Sequence, residues 1–158
     1  QNYLTMAELK EGMKAPYFEG KDQEGRLIRL TDFAGKKLVL YFYPKDNTPG
    51  CTAEACNLRD NHEELISRGF AVVGVSMDSE KSHRSFAEKF SLPFPLIADT
   101  DRKILEDYGV YREKKMYGKS FLGIVRSTFL IDGKGIIEKI ISKVDTKNHS
   151  EQIFKLYQ

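Results

Sequence analysis

The residues best suited to chemistry are two cysteines, Cys51 and Cys56, which lie five positions apart. Cys51 follows a loop at residues 44–50, and we expect a helix to open near it. A cysteine in the first turn of a helix faces unpaired backbone N–H groups and the positive end of the helix dipole. That setting favours the thiolate, which is the nucleophilic form of cysteine. We therefore predict that Cys51 is reactive, and not simply a small apolar residue that fills the core.

The loop before Cys51 contributes side chains to the same place. Thr48, three residues earlier, is expected to aim its hydroxyl into the pocket of Cys51, and Pro44 and Pro49 stiffen the loop. The sequence thus predicts a rigid loop that presents a hydroxyl beside a thiolate.

The spacing of Cys56 from Cys51 limits when the two can bond. If both residues are helical, their Cα atoms lie about 8.7 Å apart, because a helix rises about 1.5 Å and turns about 100° per residue. A disulfide needs Cα atoms within about 7 Å of each other. We therefore predict that the thiols are separate in the reduced protein and that a Cys51–Cys56 disulfide would disrupt this helix. The alternative is that Cys56 is a buried core residue.

The flanking pattern alternates strands and helices. Continuous apolar runs and turn signals predict a hairpin at residues 18–30, turning at 23–25, and strands at residues 38–43, 70–75, 96–98, 127–131 and 136–142. Apolar spacing, caps and stops predict helices from Cys51 to a stop at Gly69, from a cap at Ser79 to Pro93, from Thr100 or Asp101 to Tyr108, and over residues 150–157.

This order of elements predicts an α/β protein with a central mixed sheet flanked by helices on both faces and an N-terminal hairpin extension. Residues 1–158 are expected to form a single domain, with residues 1–11 as a flexible tail. In open α/β sheets, ligands bind beyond the carboxyl ends of the strands, which is where Cys51 falls.

Composition excludes several classes of protein. The net charge of +2 gives no basic field for nucleic acid, and the longest apolar run, residues 38–43, is far shorter than the roughly 18 residues of a membrane helix. Residues 1–10 show no secretory signal, and two cysteines are too few for a disulfide scaffold, so we expect a cytoplasmic protein. The three histidines lack zinc-ligand spacing, so no metal site is predicted. Nothing demands an assembly, and we expect a monomer.

The residues around Cys51 resemble a known family. The pattern Pro44-x-x-x-Thr48-x-x-Cys51 is similar to the peroxiredoxin active-site signature, and residues 48–56 resemble the bacterioferritin comigratory protein (Q-type) branch. The segment 123–132, which contains Arg126 just before a late strand, also matches the family, and the resemblance extends from about residue 12 to residue 157. It implies a thioredoxin-like fold and thiol-dependent peroxidase activity.

The resemblance also implies a role for each matching residue. Cys51 would attack hydrogen peroxide or an alkyl hydroperoxide, and the fork of Arg126 would favour the thiolate and bind the peroxide oxygens. Thr48 would hold the substrate, Pro44 would shield the sulfur from water, and Glu54, one turn after Cys51, would orient Arg126.

The implied catalytic cycle uses only sulfur. Attack leaves a sulfenic acid on Cys51, and Cys56, the resolving cysteine, would condense with it to an intramolecular disulfide. Thioredoxin or a similar dithiol protein would then reduce the disulfide by exchange. No metal, haem, flavin or other cofactor is expected to take part.

Two other functions fit parts of the sequence. A thioredoxin-type disulfide oxidoreductase shares the expected fold, but it typically places its cysteines three residues apart and consumes no peroxide. A non-enzymatic phosphate-binding protein would use the basic stretch formed by Arg112, Lys114, Lys115, Lys119 and Arg126, which is interleaved with Tyr111, Tyr117 and Phe121. We expect this stretch to be a solvated loop, because the near-neutral total charge gives it no wider basic field.

Overall fold

The computed structural model describes residues 8–158. Most of the predicted flexible tail, residues 1–7, lies outside the described residues. The remaining part of that tail contacts the domain, because Leu9 packs against the core and Glu11 accepts a hydrogen bond of 3.1 Å from the backbone of Ile140.

The described chain forms nine strands and five helices. The strands are β1 (Glu19–Lys21), β2 (Leu27–Arg29), β3 (Lys37–Phe42), β4 (Phe70–Ser76), β5 (Leu96–Ala98), β6 (Tyr111–Met116), β7 (Lys119–Ile124), β8 (Ser127–Ile131) and β9 (Ile137–Ile141). The helices are α1 (Pro49–Asp60), α2 (His62–Ser67), α3 (Glu80–Phe90), α4 (Lys103–Asp107) and α5 (His149–Leu156), and a short 3-10 turn covers Leu30–Phe33.

Five of these strands make the central sheet, in the order β5-β4-β3-β8-β9. β3, β4 and β5 are parallel, whereas β8 runs antiparallel to both of its neighbours. At one edge of this register Phe42, the last residue of β3, pairs with Ser127, the first residue of β8. The predicted mixed sheet and the N-terminal hairpin, formed by β1 and β2, are confirmed.

Alternate residues of β3 point to opposite faces of the sheet, as the two-residue period of a strand requires. Val39 and Tyr41 belong to a core shared with α1, α2, α3 and α5. Leu38 and Leu40 belong to a second core, which is covered by α4 and the segments around it. Helices therefore lie on both faces of the sheet, and β3 is an apolar run because both of its faces are buried.

The single helix predicted from Cys51 to Gly69 is wrong, because the chain forms α1 and α2 with Asn61 between them. The backbone of Asn61 leaves the helical region at φ −109° and ψ 14°. Its side chain and its backbone N–H both donate to the carbonyl of Asn57, at 2.9 and 3.2 Å. A short amide side chain that competes for a backbone acceptor explains this interruption.

The cap predicted for the helix before Gly109 is also wrong. Arg102, at φ 65°, holds the N-cap position of α4 instead of Thr100 or Asp101. The buried carboxylate of Asp99 reaches over this turn and accepts from the backbone N–H groups of Ile104 and Leu105, at 3.2 and 2.8 Å.

The basic stretch expected to be a loop is instead a hairpin of β6 and β7. Its turn is made by Tyr117 and Gly118, at φ 54° and 76°, which is the positive-φ pair of a two-residue hairpin turn. The strands β6 and β7 pair with each other and stand apart from the central sheet. None of the described helices has the length and apolar content needed to cross a membrane.

Candidate active site

Cys51 lies at the junction between β3 and α1 that the sequence predicts. Thr48, in an extended conformation, is the N-cap of α1, and Pro49 is its first residue. Cys51 is therefore in the first turn, where backbone N–H groups have no partner within the helix. Its side chain is buried in the core beneath that turn. The local fold thus directs the positive end of a helix dipole towards a buried sulfur.

Arg126 connects Cys51 to Glu54. Its Nη2 donates to the Sγ of Cys51 at 3.3 Å, and its Nη1 donates to the Oε1 of Glu54 at 2.7 Å. Arg126 directly precedes β8. Because β8 pairs with β3, the strand that leads into α1, the sheet brings Arg126 next to the start of α1. The structure therefore brings together three of the residues singled out from the sequence, across separations of 72 and 75 positions.

Glu54 belongs to α1, and its side chain is fully buried. Burial raises the pKa of its carboxyl to about 7, although the charge and hydrogen bond of Arg126 act in the opposite direction. Oε1 accepts from Arg126, whereas Oε2 has no hydrogen-bond partner among residues 8–158. Glu54 is thus an anchor for Arg126 and a carboxyl whose charged form is costly.

The charge on Arg126 is stable in this setting. Burial lowers the pKa of the guanidinium, but Glu54 and Cys51 outweigh that effect and the pKa is raised overall. Tyr41, from β3, adds a buried hydroxyl that has no hydrogen-bond partner in the described part of the chain. Burial raises the pKa of Tyr41 well above its usual value, and nearby Glu54 and Cys51 raise it further, so this phenol stays neutral.

Thr48 and Pro44 lie on the loop between β3 and α1, and both are half-buried. The hydroxyl of Thr48 donates to the carbonyl of Lys45 at 2.8 Å and does not cap the helix. Because its hydrogen is committed to Lys45, the oxygen of Thr48 is left as a hydrogen-bond acceptor for an arriving group.

The loop that carries Thr48 is held from below by Asp46. This carboxylate is buried and accepts from Tyr43, Ser82 and His83, at 2.6, 2.8 and 2.7 Å. Asp46, Asp78 and His83 bring ligand-type atoms within 4.8 Å of one another. Since Asp46 and His83 already have hydrogen-bond partners, the group is best understood as a brace for the loop and not as a metal site.

Cys56 lies five residues after Cys51 within the same continuous helix, α1. It is partly buried, and both thiols are free. Five helical steps correspond to Cα atoms about 8.7 Å apart, which is beyond the reach of a disulfide. The two cysteines are therefore separate while α1 is intact.

Two further residues near Arg126 escape the sequence analysis. A Cβ at Gly50 would lie 3.2 Å from Nη2 of Arg126, so a glycine there lets the guanidinium approach the helix start. His149, the first residue of α5, lies fully buried with its Nε2 3.6 Å from the Oε2 of Glu54. The position of Gly50 directly before Cys51 is a sequence signal that could have identified it. His149 gives no such signal, because it lies 95 positions from Glu54 in the chain.

Comparison with known sequences finds the same family along most of the chain. The profile of the AhpC/TSA family matches residues 12–140. The chain is 49% identical over 138 residues to Peroxiredoxin Bcp of Bacillus subtilis, covering 87% of this chain and 88% of the relative. It is 45% identical over 148 residues to Peroxiredoxin Bcp of Escherichia coli, covering 94% and 95%.

Solved structures share the fold. The bacterioferritin comigratory protein of Xanthomonas campestris superposes with a TM-score of 0.86 at 36% identity, covering 93% of this chain and 96% of that one. That structure was determined as a trapped intermediate/ligand complex, for insight into alkyl peroxide reduction activity. A mutant PrxQ of Xylella fastidiosa superposes with a TM-score of 0.89 at 33% identity, covering 96% of both chains.

Proposed function

This chain belongs to the AhpC/TSA family and is a peroxiredoxin of the Bcp type, and on that premise we propose that Cys51 is the residue with which it reduces peroxides. The protein is a thiol peroxidase with a thioredoxin-like α/β fold. The roles that we propose for individual residues rest on the geometry of the site.

The observation that carries the proposal is the fork of Arg126. One nitrogen contacts the Sγ of Cys51 at 3.3 Å while the other is fixed by Glu54 at 2.7 Å. A guanidinium in this position stabilises negative charge on the sulfur and keeps hydrogen-bond donors beside the place where a peroxide must lie. Burial of Cys51 and Glu54 strengthens both effects, because charges interact more strongly away from bulk water.

The reaction is a displacement at oxygen. The Cys51 thiolate attacks the terminal oxygen of HO–OR, an S–O bond forms as the O–O bond breaks, and RO⁻ leaves. The sulfur is oxidised to a sulfenic acid, the peroxide is reduced, and RO⁻ takes up a proton to give an alcohol or water. Arg126 offsets the charge that develops on the leaving oxygen.

The rim of the site would orient the peroxide. The oxygen of Thr48, whose own hydrogen is directed to Lys45, accepts a hydrogen bond from the peroxide O–H. The backbone N–H of Cys51, in the first turn of α1, is a further donor for the peroxide oxygens. Pro44 covers the approach to the sulfur and limits the access of water.

Cys56 is the resolving residue in this proposal. Its thiol attacks the sulfenic sulfur of Cys51, so that a disulfide forms and water is released. Because the thiols are separate in the intact helix, the first turns of α1 must unwind before this step. Thioredoxin or a similar dithiol protein then transfers two electrons by thiol–disulfide exchange and restores both thiols.

Hydrogen peroxide and alkyl hydroperoxides are the proposed substrates, the latter supported by the activity named for the Xanthomonas campestris relative. The five-residue spacing argues against a thioredoxin-type oxidoreductase. A single-domain monomer in a reducing cytoplasm remains our prediction, and gel filtration with light scattering tests the oligomeric state.

The deciding experiment follows peroxide loss with thioredoxin, thioredoxin reductase and NADPH for the wild type and for Cys51→Ser. We expect turnover by the wild type and none by the variant. Intact mass after one equivalent of peroxide should show the loss of two hydrogens in the wild type, which is the signature of an intramolecular disulfide. Turnover by Cys51→Ser at the wild-type rate would refute the assignment of the nucleophile.

A further inference from the structure

Glu54 has a buried oxygen that the proposed mechanism leaves unused. Oε1 accepts from Arg126, but Oε2 has no hydrogen-bond partner within the described residues. A buried carboxylate oxygen without a donor is costly in free energy. The Nε2 of His149 lies 3.6 Å away, just beyond hydrogen-bond length, so an approach of a few tenths of an ångström with one proton held between the two groups would remove this cost.

The surroundings of His149 fix which of its ring nitrogens carries hydrogen. The amide of Gln152 is oriented by two contacts: its Nε2 donates to the carbonyl of Lys143 at 3.0 Å, and its Oε1 accepts from the backbone N–H of Asp145 at 2.9 Å. The same Oε1 lies 2.8 Å from Nδ1 of His149. Since this oxygen only accepts, Nδ1 must carry the hydrogen.

Nε2 of His149 is therefore the nitrogen that carries the lone pair in the neutral ring, and the hydroxyl of Thr128 and Oε2 of Glu54 face it at 2.8 and 3.6 Å. Burial lowers the pKa of His149, an effect that Gln152 and Asp145 oppose and Arg126 reinforces. The hydroxyl of Thr128, 2.8 Å from Nε2, is able either to donate to the neutral ring or to accept from the protonated one. Nε2 is thus a proton acceptor that faces Glu54.

The charges around Glu54 show when that proton is needed. The thiolate of Cys51 and the carboxylate of Glu54, both on α1, face the positive charge of Arg126, and these three charges sum to −1. Tyr41, facing them from β3, stays neutral because burial raises its pKa well above its usual value. One proton held by Glu54 and His149 makes the site neutral and removes the cost of the unpaired charge.

We propose that Glu54 and His149 share one proton between Oε2 and Nε2 while Cys51 is a thiolate, so that His149 is a positioning residue that acts on the sulfur through Arg126. This inference rests on the proposed function, in which the Cys51 thiolate is the nucleophile. When Cys51 ionises, its proton passes to the pair, and the charge of the site is unchanged. The pull of Glu54 on Arg126 then weakens, and more of the guanidinium charge is available to the thiolate. The pKa of about 7 at Glu54, which burial raises, is consistent with this exchange.

The first test is the pH profile of Cys51 oxidation by hydrogen peroxide in His149→Asn. An asparagine amide N–H replaces Nδ1–H towards Gln152 and leaves nothing in the place of Nε2, which makes the variant selective. We expect the acid limb of the rate profile to move to higher pH by about one unit, which is about a tenfold loss of rate on that limb. His62→Asn, a change at a histidine that packs beside Phe94, is the matched control and should leave the limb in place. A uniform loss at every pH, or no change, would overturn the proposal.

A double variant separates the shared proton from a packing defect. Gln at position 54 cannot ionise, and its amide N–H can donate to the Nε2 of His149. In the Glu54→Gln background, His149→Asn should therefore leave the acid limb where Glu54→Gln alone puts it. A further shift of about one unit in the double variant would contradict the sharing of a proton.

The second test reads the proton directly and without peroxide. Nitrogen NMR of the reduced protein should show neutral His149 with hydrogen on Nδ1, and infrared spectra should show a protonated carboxyl band that Glu54→Gln removes. A ring with hydrogen on Nε2 alone, or the absence of that band wherever Cys51 reacts, would overturn the proposal. Because neither spectrum depends on turnover, both distinguish its failure from a failure of the assignment of Cys51 as the nucleophile.

Discussion

Asn57, the residue after Cys56, accepts a hydrogen bond of 2.7 Å on its side-chain oxygen from the backbone amide of Ser150. Asn57 also donates to the carbonyl of Lys147 at 2.9 Å, and its own carbonyl accepts from the hydroxyl of Ser150 at 3.3 Å. These bonds tie α1 to the start of α5. Any unwinding that brings Cys56 to Cys51 must therefore either stop at Asn57 or break this tie.

We predict that it stops there. In the oxidised protein, amide hydrogen exchange should be fast from Cys51 to Cys56, while the Ser150 amide should stay protected. Asn57→Ala should extend fast exchange into α5 and lower the free energy of unfolding by about 1–3 kcal/mol. Asn61→Ala is the control, because Asn61 also bonds to Asn57 but not to α5. Loss of protection at Ser150 in the oxidised wild type would refute the prediction.

Removing the second thiol should separate attack from resolution. Cys56→Ser retains the site of Cys51 and Arg126, so it should react once with peroxide and accumulate a sulfenic acid. Intact mass should show one added oxygen, and steady-state turnover with thioredoxin should fall close to that of Cys51→Ser. Undiminished turnover in Cys56→Ser would mean that another thiol resolves the intermediate.

Gly50 should be required for the position of Arg126. A methyl group there would lie 3.2 Å from Nη2, and the guanidinium would have to move by a few tenths of an ångström. We expect Gly50→Ala to slow peroxide reduction by about three- to tenfold, since misplacing a catalytic group is costly in rate. Gly123→Ala is the matched control, because its methyl group would meet the Cδ of Lys114 at the same 3.2 Å. Equal rates for the two variants would show that the fork tolerates the shift.

Glu54 should make the stability of the protein depend on pH. Its pKa rises from 4.5 to about 7 on folding because of burial, so the unfolded chain loses this proton first as pH increases. The contribution of Glu54 to stability is therefore full below pH 4.5 and is lost as pH rises through about 7. Gln at position 54 cannot lose a proton. The free energy of unfolding of Glu54→Gln, measured with urea, should therefore rise by about 1–3 kcal/mol relative to that of the wild type as the pH increases from about 4.5 to about 8. Glu63→Gln, at an exposed position of α2, should show no such gain. The same difference in the free energy of unfolding between Glu54→Gln and the wild type at about pH 4.5 and at about pH 8 would refute the prediction.

Local signals predicted most of the fold, and the errors have local causes. The five strands of the central sheet were predictable because each is a short apolar run closed by a turn. The hairpin of β6 and β7 was missed because its strands are mostly exposed and β6 is mostly charged, although Tyr117-Gly118 is a recognisable turn pair. The break at Asn61 and the cap by Asp99 depend on side-chain hydrogen bonds that no periodicity reveals.

The site was predictable where motifs carry it and not where distant segments meet. Cys51 was found from its place at a helix start, and Arg126 from the family resemblance. His149 was missed because only the docking of α5 against α1 and β8 brings its ring to Glu54 and Thr128. A buried residue of this kind shows no sequence spacing, since its partners come from three separate parts of the chain.

The pairing of Phe42 with Ser127 fixes the distance between the two chain segments that lead to the site. Arg126 directly precedes β8, and Cys51 follows β3 across the loop that leads into α1. The hydrogen bonds between the two strands fix their separation at about 4.8 Å. The spacing of the reacting sulfur and its cation thus depends on two hydrogen-bonded strands of the buried central sheet. Lengthening the turn of the hairpin of β6 and β7 at Tyr117, which is 96% exposed, should therefore leave that spacing intact, which makes this turn a natural place for inserting foreign sequence.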